Sequence, residues 1–175
     1  MREPLESQSV KAALITPPNP WQEVDVHGSL DSTNGEALRA PRSWRVVLAD
    51  HQSAGRGRMA RQWQAPSCAS IAVSCVVPVP VDRTADVGWL PLLSGMAMRQ
   101  ALADVAYVAG RLKWPNDVLV QEQPDDPEAP WLKISGVLCE MVRGGGLVVI
   151  GAGANIDQTR AELPVETATS LALCG

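Results

Sequence analysis

The chain has 175 residues, of which 46 % are hydrophobic and 19 % charged, and its net charge is −4. A chain of this length and composition can bury a core as one domain, so it is neither fibrous nor disordered. The acidic balance argues against general binding to nucleic acid. No apolar run reaches the ~18 residues of a membrane span, and no secretory signal follows Met1, so we expect a cytoplasmic protein.

The cysteines and histidines limit the chemistry further. The four cysteines are widely spaced and include no Cys-x-x-Cys pair, which favours reduced thiols over a disulfide frame or a zinc site. With His27 and His51 alone, a histidine-based metal site is not expected. The sequence also lacks the Gly-x-Ser-x-Gly elbow of serine hydrolases and the Gly-x-x-x-x-Gly-Lys-Ser/Thr loop of common NTPases.

The N-terminal segment is expected to be a loose lead-in. Residues 1–20 are polar and rich in proline, and we place the lead-in over 1–24 and a single catalytic domain over 25–175. A segment of this length leaves no room for a helix-turn-helix ahead of the first motif. We therefore expect no DNA-binding domain.

The middle of the chain predicts two helices and two strands. The helix-capping side chains of 31–34 predict a short helix over 35–39. Largely apolar segments predict a buried strand over 45–50 and a second, clearer strand over 70–77. Small and apolar residues at near-helical spacing predict a buried helix over 90–106.

The last part of the chain alternates short apolar runs with turn residues, which predicts strands and hairpins. The predicted strands cover, in order, 111–114 and 118–120 on either side of Pro115, then 133–142 and 147–150. An acidic loop at 121–130 and a glycine turn at 144–146 separate the later strands. This order of elements predicts an α+β fold with a mixed, largely antiparallel sheet and flanking helices.

Residues 55–63 form the most informative segment, because three arginines and two glycines lie within seven positions and a tryptophan follows. Glycine lets the backbone approach a ligand, and the guanidinium groups of Arg56, Arg58 and Arg61 match carboxylate and phosphate oxygens. The indole of Trp63 offers a flat face to a ring. The segment predicts a loop that closes over an anionic, ring-bearing small molecule, and a flexible basic loop in solvent is the alternative.

A second segment, Lys113-Trp114-Pro115-Asn116-Asp117, interrupts a predicted strand. Pro115 forces the chain out of the sheet and presents Asn116 and Asp117 on a bend, where an amide and a carboxylate can meet a nucleotide or Mg²⁺. For Pro-Asn-Asp alone, an ordinary β-turn is the simpler interpretation. The lysine and tryptophan that precede it favour the functional interpretation.

Two glycine-containing segments follow. Lys133 begins a strand three residues before Gly136, so its ammonium can point at a carboxylate or phosphate while the glycine lets a ligand lie against the strand; a solvated surface lysine is the alternative. Residues 151–156 resemble a truncated dinucleotide fingerprint, which is a weak signal because the sixth residue is Ile156 and no acidic residue follows at the required distance. We interpret this segment as a tight bend that presents the amide of Asn155.

The order of these segments resembles that of the biotin protein ligases, from about residue 25 to the C-terminus. The matching motifs are Ser32-Thr33-Asn34, Gln52-x-x-Gly55-Arg56-Gly57-Arg58-x-x-Arg61-x-Trp63, Lys113-Trp114-Pro115-Asn116-Asp117, Lys133-x-x-Gly136-x-Leu138-x-Glu140 and Gly151-x-Gly153-x-Asn155. The second and third of these motifs are highly specific when they occur together.

The resemblance implies a fold similar to the core of the class II aminoacyl-tRNA synthetases, and an ATP-dependent ligase activity. Such an enzyme condenses the carboxylate of biotin with ATP to form biotinyl-5′-AMP and pyrophosphate. It then transfers the biotinyl group to one lysine of a biotin carboxyl carrier protein, which would belong to an acetyl-CoA or acyl-CoA carboxylase. ATP and Mg²⁺ are the implied cofactors, and biotin is the implied substrate.

The resemblance also implies roles for individual residues. The implied biotin-binding residues are Ser32, Thr33, Asn34, Gln52, Gly55, Arg56, Gly57, Arg58, Lys133 and Gly136. The implied nucleotide-binding residues are Arg58, Arg61, Trp63, Asn116, Asp117, Lys133 and Asn155. Lys133 would bridge the biotin carboxylate and the α-phosphate, Arg58 would cover the adenylate, and Asp117 would help to deprotonate the acceptor lysine. Asp117 and Asn116 are also the implied Mg²⁺ ligands.

The chain departs from the family at both ends. We expect it to lack the DNA-binding domain of many members and the small SH3-like barrel that follows the catalytic domain in most of them. A homodimer is compatible with the sequence. Two alternatives stay open: a biotin or biotinyl-AMP binding module whose transfer step is impaired by the short C-terminus, and a lipoate–protein ligase, against which the Arg/Gly segment with Trp63 argues.

Overall fold

The fold is that of a computed structural model, which describes residues 2–175. The helices are α1 (Ser7–Ile15), α2 (Thr33–Arg39) and α3 (Leu90–Ala106). The strands are β1 (Glu23–His27), β2 (Arg45–Ala49), β3 (Gly55–Arg56), β4 (Gln62–Trp63), β5 (Ser70–Pro78), β6 (Gly110–Lys113), β7 (Asp117–Val120), β8 (Leu132–Met141) and β9 (Leu147–Asn155). Short 3₁₀ turns cover Arg58–Ala60, Val81–Trp89, Arg160–Glu162 and Leu171–Leu173.

One large sheet organises the molecule. It has seven strands in the order β1-β2-β5-β9-β8-β7-β6, and every neighbouring pair is antiparallel except β1 and β2. Helix α2 packs on β2 and β5, and α3 packs on β6 and β8. Strands β3 and β4 form a separate two-stranded hairpin. The prediction of a mixed, largely antiparallel α+β fold is confirmed.

Strand β2 lies deep in this sheet, and all of its residues are buried. Val47 packs with Ala37 of α2, whereas Val46 and Leu48 belong to a second cluster that includes Leu14 of α1. Successive side chains of a strand point to opposite faces, so a strand that is covered on both faces is apolar throughout. The continuous apolar run that predicted this strand therefore reflects its two-sided burial.

Helix α1 contradicts the expectation of a loose N-terminal lead-in. The carboxylate of Glu6 caps the helix by accepting hydrogen bonds from the backbone N–H groups of Gln8 and Ser9, at 3.0 and 2.6 Å. Val10 and Leu14 then pack against the sheet in the cluster that contains β2. The expectation is wrong because the prolines lie behind the helix, while Val10 and Leu14 are spaced to share one helical face.

Helix α2 confirms its prediction. Its N-cap is Ser32, whose hydroxyl accepts a hydrogen bond from the backbone N–H of Gly35 at 3.3 Å. A serine at this position satisfies one of the N–H groups that a helix leaves unpaired at its start. Because Thr33 and Asn34 follow directly, the first turn of α2 presents two further polar side chains toward the sheet, and both are buried.

Helix α3 has the predicted bounds but is not a buried helix. Its buried residues are Gly95 and Leu102, and Leu102 packs with Val118 of β7. Leu93 and Met96 are 56 % and 54 % exposed. The prediction of burial is wrong because apolar residues at helical spacing identify a shared face, without showing that anything covers it.

The two strand pieces around Pro115 form a hairpin, where the sequence predicted one interrupted strand. Strands β6 and β7 are antiparallel neighbours, and the Trp114–Pro115 peptide bond in the turn between them is cis. The turn places Asp117 at the start of β7, opposite Gly136 of β8. The motif around Pro115 is therefore a tight turn that also carries chemically useful side chains next to the central strands.

Strand β9 runs on through residues 151–155, where the sequence predicted a tight bend. Gly151 and Gly153 lie within the sheet, because the side chains of Asn34 and Trp63 occupy the space that their Cβ atoms would need. The prediction of a bend is wrong since these glycines mark a close approach of side chains to the strand.

Arg45 is a buried charge at the start of β2. It is only 4 % exposed, and its guanidinium donates to Asp25 at 2.7 Å and to the carbonyl oxygen of Ala40 at 2.8 Å. Glu36 of α2 lies 3.4 Å away. This buried cation connects α2 to the start of β2. Its removal would leave the acceptor oxygens without their positively charged partner, which is strongly destabilising.

We expect Arg45→Ala to lower the free energy of unfolding by about 3 kcal/mol, because it breaks an enclosed ion pair. The neighbouring Arg42 provides the control, since its side chain is 55 % exposed and pairs with Glu23 at the surface. Arg42→Ala should cost less than about 1 kcal/mol. Urea unfolding followed by circular dichroism measures both values, and equal losses in the two variants would contradict the special role of Arg45.

Candidate functional site

The predicted motifs converge on one cavity, which lies between the central sheet and residues 55–63. We call these residues the flap; they comprise the β3–β4 hairpin and the 3₁₀ turn between its strands. The flap, the start of α2, the turn before β7, and strands β8 and β9 all contribute to the lining. The space between them, part of it open to solvent, is about 740 Å³. A concave site lined by both polar and apolar groups is suited to a small-molecule ligand.

Most of the residues with a predicted role line this cavity. They are Ser32, Thr33, Asn34, Gln52, Arg56, Gly57, Arg58, Arg61, Trp63, Asn116, Asp117, Lys133 and Gly136. They come from segments more than 100 residues apart in the chain, so their convergence is a property of the fold. Their individual roles stay predictions.

Two predicted site residues lie outside the lining. Gly55 pairs with Trp63 in the β3–β4 hairpin, and a Cβ at this position would collide with the carbonyl oxygen of Trp63. Asn155 is 4 % exposed; its amide donates to the carbonyl oxygen of Thr169 at 2.9 Å, and its Oδ1 accepts from Gln158 at 2.9 Å. Gly55 therefore serves close packing of the flap, and the predicted contact of Asn155 with adenosine finds no support in this geometry.

One part of the cavity wall is neutral and polar. The backbone N–H and the hydroxyl of Thr33 both donate to Oε1 of Gln52, at 2.8 and 3.1 Å. These bonds fix the orientation of the Gln52 amide. Among residues 2–175 nothing accepts a hydrogen bond from its Nε2, which is consequently available as a donor to a ligand.

Asn34 connects this wall to a network that the sequence did not predict. Its Oδ1 accepts from the hydroxyl of Ser74 at 2.6 Å, and its Nδ2 donates to Glu140 at 2.9 Å. The other carboxylate oxygen of Glu140 accepts from the guanidinium of Arg56 at 2.7 Å. A continuous series of polar contacts thus runs from the buried centre of the sheet to the flap.

Lys133 places its ammonium inside the cavity. Its Nζ lies 2.7 Å from Oδ1 of Asp117 and 5.8 Å from the centre of the Trp63 ring. A Cβ on Gly136 would lie 3.0 Å from this Nζ, so the glycine makes room for the lysine side chain itself. The side chain is 35 % exposed, and the alternative of a lysine solvated at the surface does not hold.

Two further cations lie on the flap. Arg58 and Arg61 line the cavity, and neither guanidinium makes a hydrogen bond or an ion pair within the part of the chain that the structure describes. Together with Lys133 they give the cavity an excess of positive charge beside the single carboxylate of Asp117. Such an arrangement favours an anionic ligand.

The thiol of Cys139, in β8, interacts electrostatically with Arg58, but it is not an activated nucleophile. Burial raises the pKa of its thiol to about 11, and the nearby guanidinium of Arg58 opposes this shift only in part. A thiol with this pKa stays protonated at neutral pH, and the thiolate is the reactive form. The site therefore lacks an activated cysteine at this position.

The donors for a magnesium ion are few. Within residues 2–175 no three His, Cys, Asp or Glu side chains come together as a ready-made metal centre. Asp117 offers one carboxylate, and Asn116 donates through its Nδ2 to the carbonyl oxygen of Val137 at 2.8 Å, which leaves its Oδ1 for a cation. Magnesium in phosphate-binding sites often uses one or two carboxylates together with substrate phosphates, so these residues fit the ion as part of a metal–nucleotide complex.

Sequence reasoning missed part of the lining and its support. The lining residues without a predicted role are Gln62, Val137, Leu138, Gly151, Ala152 and Gly153. The alternation of side chains along β5 could have identified Ser74, which lies on the same face as the buried Ala72 and Val76. An unpaired hydroxyl on a buried face is costly, so this position predicts a hydrogen-bond partner for Ser74. Glu140 was visible in a motif, but its partners could not be inferred from spacing.

Comparison with known proteins places this cavity in a family. Residues 28–157 match the family model described as the Biotin/lipoate A/B protein ligase family. The chain belongs to this family. The matched range contains every residue that lines the cavity, and the resemblance drawn from the motifs is confirmed.

Individual ligases of the family are similar over most of the chain. The biotin–[acetyl-CoA-carboxylase] ligase of Mycobacterium tuberculosis is 36 % identical over 182 residues, which cover 98 % of this chain and 63 % of the relative. The solved structure of the Aquifex aeolicus biotin protein ligase with biotin and ATP has a TM-score of 0.69 at 28 % identity, and the match covers 86 % of this chain and 60 % of that one. The Leishmania major biotin protein ligase with biotinyl-5-AMP has a TM-score of 0.65 at 26 % identity, with coverages of 90 % and 64 %.

These ligases confirm the predicted fold class, an α+β core of the class II synthetase type. All three are biotin ligases, so they do not favour the lipoate alternative. The chain spans less than two thirds of the length of each. Within residues 2–175, no helix combines the length and the apolar character that crossing a membrane requires.

Proposed function

We propose that this protein activates biotin with ATP to give biotinyl-5′-AMP and pyrophosphate, and transfers the biotinyl group to a lysine of a biotin carboxyl carrier protein. One observation carries the proposal: a single cavity joins a neutral polar wall at Gln52 to three cations, Lys133, Arg58 and Arg61. The Mycobacterium tuberculosis relative is named for the same activity, and the Aquifex aeolicus relative holds biotin and ATP.

The three cations would offset the charge repulsion between the two substrates of the first step. A carboxylate and a triphosphate repel each other, and the reaction needs them in contact. Lys133 lies where it would bridge the carboxylate and the α-phosphate, while Arg58 and Arg61 would lie over the phosphates from the flap. Preorganised positive charge of this kind stabilises the transition state, and it is stronger in a cavity from which water is excluded.

The first step needs no nucleophile from the protein. An oxygen of the biotin carboxylate attacks the α-phosphorus, the bond from this phosphorus to the bridging oxygen breaks, and pyrophosphate leaves. Positioning and charge stabilisation then supply most of the rate. Magnesium bound with the nucleotide would neutralise part of the phosphate charge, and Asn116 and Asp117 would hold it.

The neutral wall suits the ring of biotin. The free Nε2 of Gln52 would donate to the ureido carbonyl oxygen, and the hydroxyl of Thr33 would accept from a ureido N–H. Trp63 and Leu138 supply apolar surface beside these groups. A few oriented polar groups on an apolar lining are typical of a specific small-molecule site.

The flap would protect the product of the first step. A mixed anhydride is hydrolysed readily, so water must be kept away until the acceptor arrives. In the second step the amine of the acceptor lysine attacks the carbonyl carbon and AMP leaves. The amine must first lose a proton, and Asp117, which is partly exposed in the cavity, would assist its removal.

Several expectations about the whole protein stay predictions. These are the single catalytic domain over 25–175, the absence of DNA binding, a homodimer, the identity of the carrier protein and the cytoplasmic location. Measuring pyrophosphate release and carrier biotinylation distinguishes a ligase from the alternative, a binding module with impaired transfer.

The test uses the purified chain with biotin, ATP, Mg²⁺ and a biotin carboxyl carrier domain. We expect biotin-dependent release of pyrophosphate followed by biotinylation of the carrier. Pyrophosphate release without labelling of the carrier would contradict the transfer half of the proposal. Tight binding of biotin without pyrophosphate release would contradict the ligase function and favour the binding module.

Gly153→Ala tests whether Trp63 must lie against β9 to form the site. A Cβ at this position would lie 2.5 Å from the indole, so the ring and the flap would have to move. We expect the dissociation constant for biotin to rise by about tenfold, the effect of losing one well-packed contact. Gly28→Ala is the matched control, because a Cβ added there would meet nothing within 4 Å. Calorimetric titration measures both, and an unchanged affinity in Gly153→Ala would contradict this view of the site.

A further inference from the structure

We propose that Glu140 is a positioning residue, which holds the flap over the cavity through the side chain of Arg56. Its effect on the reaction rests on the proposed ligase function. Its effect on the flap does not, and can be measured without any ligand.

The flap is attached to the main sheet by few contacts. Within the part of the chain that the structure describes, β3 and β4 pair with each other and not with the seven-stranded sheet. Trp63 packs against Gly153 at one end of the hairpin. Toward the other end, Arg56 donates to Glu140 of β8 at 2.7 Å. The Arg56–Glu140 ion pair therefore links the flap to the sheet, in addition to the contact of the Lys133 ammonium with the Trp63 ring.

Glu140 is fixed independently of the flap. One of its oxygens accepts from Nδ2 of Asn34 at 2.9 Å, and Asn34 in turn accepts from Ser74 at 2.6 Å. Asn34 is 4 % exposed and Ser74 is fully buried. The carboxylate therefore presents its second oxygen to Arg56 from a preset orientation, which lowers the entropic cost of forming the pair.

The turn of the flap carries backbone strain. Met59 and Ala60 have φ values of 55° and 58°, in the left-handed region that residues with a Cβ adopt at a cost. Met59 is 85 % exposed, so packing of its side chain does not offset this strain. Backbone hydrogen bonds from Gly57 to Arg61 and from Arg61 to Arg58, at 2.8 and 3.2 Å, hold the turn together. Its position over the cavity depends on contacts with the sheet, and Glu140 supplies the negative charge among them.

The same geometry links the flap to the ligand wall. Asn34 lines the cavity next to Thr33 and also orients Glu140. A ligand that orders this wall would thereby order the acceptor for Arg56. Loss of the Glu140 charge should let the flap open more often, and an adenylate held beneath it should escape faster.

The test is hydrogen exchange of the flap amides, residues 55–63, in Glu140→Gln without ligand. Glutamine keeps an oxygen that can accept from Asn34, but it removes the charge that faces Arg56. We expect exchange of these amides to be about fivefold faster than in the wild type, which corresponds to a partly exposed ion pair. Glu23→Gln, which removes the surface pair with Arg42, should leave flap exchange unchanged. Unchanged flap exchange in Glu140→Gln would overturn the proposal.

A double-variant comparison separates positioning through Arg56 from a general structural role. In an Arg56→Gln background, Glu140→Gln should add nothing to flap exchange, because the pair is already broken. A full additional effect would show that Glu140 acts through Asn34 alone and would overturn the proposal. In the wild type, dissociation of biotinyl-AMP should be about fivefold slower than in Glu140→Gln. Faster flap exchange in a protein that forms no adenylate would refute the ligase function while supporting the role of Glu140.

Discussion

Lys133→Ala should lower biotin-dependent exchange of pyrophosphate into ATP by about a hundredfold to a thousandfold, the usual effect of removing one preorganised donor from a transition state. The side chain lies in the cavity beside Asp117 and Trp63, where nothing else on β8 supplies a charge of the same sign. Its loss would leave the carboxylate of Asp117 facing two anionic substrates. The variant should fold, because Lys133 contributes its ammonium to the cavity and not to the core.

The backbone explains why this lysine is well placed. The N–H of Lys133 donates to the carbonyl oxygen of Thr167 at 2.8 Å, and its carbonyl oxygen accepts from Thr169 at 2.9 Å. Both peptide groups of the residue are therefore held by the segment that follows β9. Because the backbone is fixed, the side chain loses little further conformational freedom when it binds its ligand. The ammonium is therefore preorganised to stabilise the transition state.

Lys11→Ala is the control for Lys133→Ala, since Lys11 lies exposed on α1 and away from the cavity lining. Pyrophosphate exchange, measured at saturating biotin and ATP, should be unchanged in the control. Near wild-type exchange in Lys133→Ala, with an intact circular dichroism spectrum, would contradict the role of this ammonium.

Arg58→Gly should release biotinyl-AMP from the cavity and label lysines of bystander proteins. The guanidinium of Arg58 has no protein partner within residues 2–175, so it is available to the phosphate of the adenylate. A charge-assisted bidentate contact of this kind is worth about 1.5–3 kcal/mol, and we expect dissociation of the adenylate to be about 10- to 100-fold faster. Formation of the adenylate should continue, since Lys133 remains.

Arg143→Gly is a suitable control, because Arg143 is exposed in the turn before Gly144 and outside the cavity. Dissociation is followed by rapid dilution of the enzyme–adenylate complex into unlabelled ligand, and bystander labelling by mass spectrometry of added albumin. Full retention of the adenylate in Arg58→Gly would contradict the role of the flap as a cover.

The charged residues of the cavity could be predicted because they lie in short segments of unusual composition. Arginines interleaved with glycines, or a lysine and a tryptophan before Pro-Asn-Asp, have few structural explanations, so their chemistry stands out. The polar residues Ser32, Thr33, Asn34 and Gln52 were predicted from the resemblance to the biotin protein ligases. The pairing of Lys133 with Asp117 was not visible in the sequence, since it depends on the register between β7 and β8. The chemical types were therefore predictable, whereas their pairing required the fold.

Other features depend on contacts that no local pattern reveals. Ser74 and Asn34 meet across 40 residues, and Asn34 and Glu140 across 106. The glycines of β9 suggested a bend because their partners, Asn34 and Trp63, come from distant segments. Asn155 has the side chain of a ligand-binding residue but uses it to hold the C-terminal segment. In each case the sequence shows the residue type, and only tertiary packing decides what it contacts.

On the proposed mechanism, the cations of the flap and of β8 hold the biotin carboxylate and the α-phosphate together in one cavity. A crystal structure of the chain with biotin and a non-hydrolysable ATP analogue tests it directly. We predict both groups within hydrogen-bonding distance of Nζ of Lys133, with Arg58 and Arg61 over the phosphates and the ureido group against Gln52. Well-defined density for the two ligands elsewhere on the protein, away from Lys133 and the flap, would contradict the account.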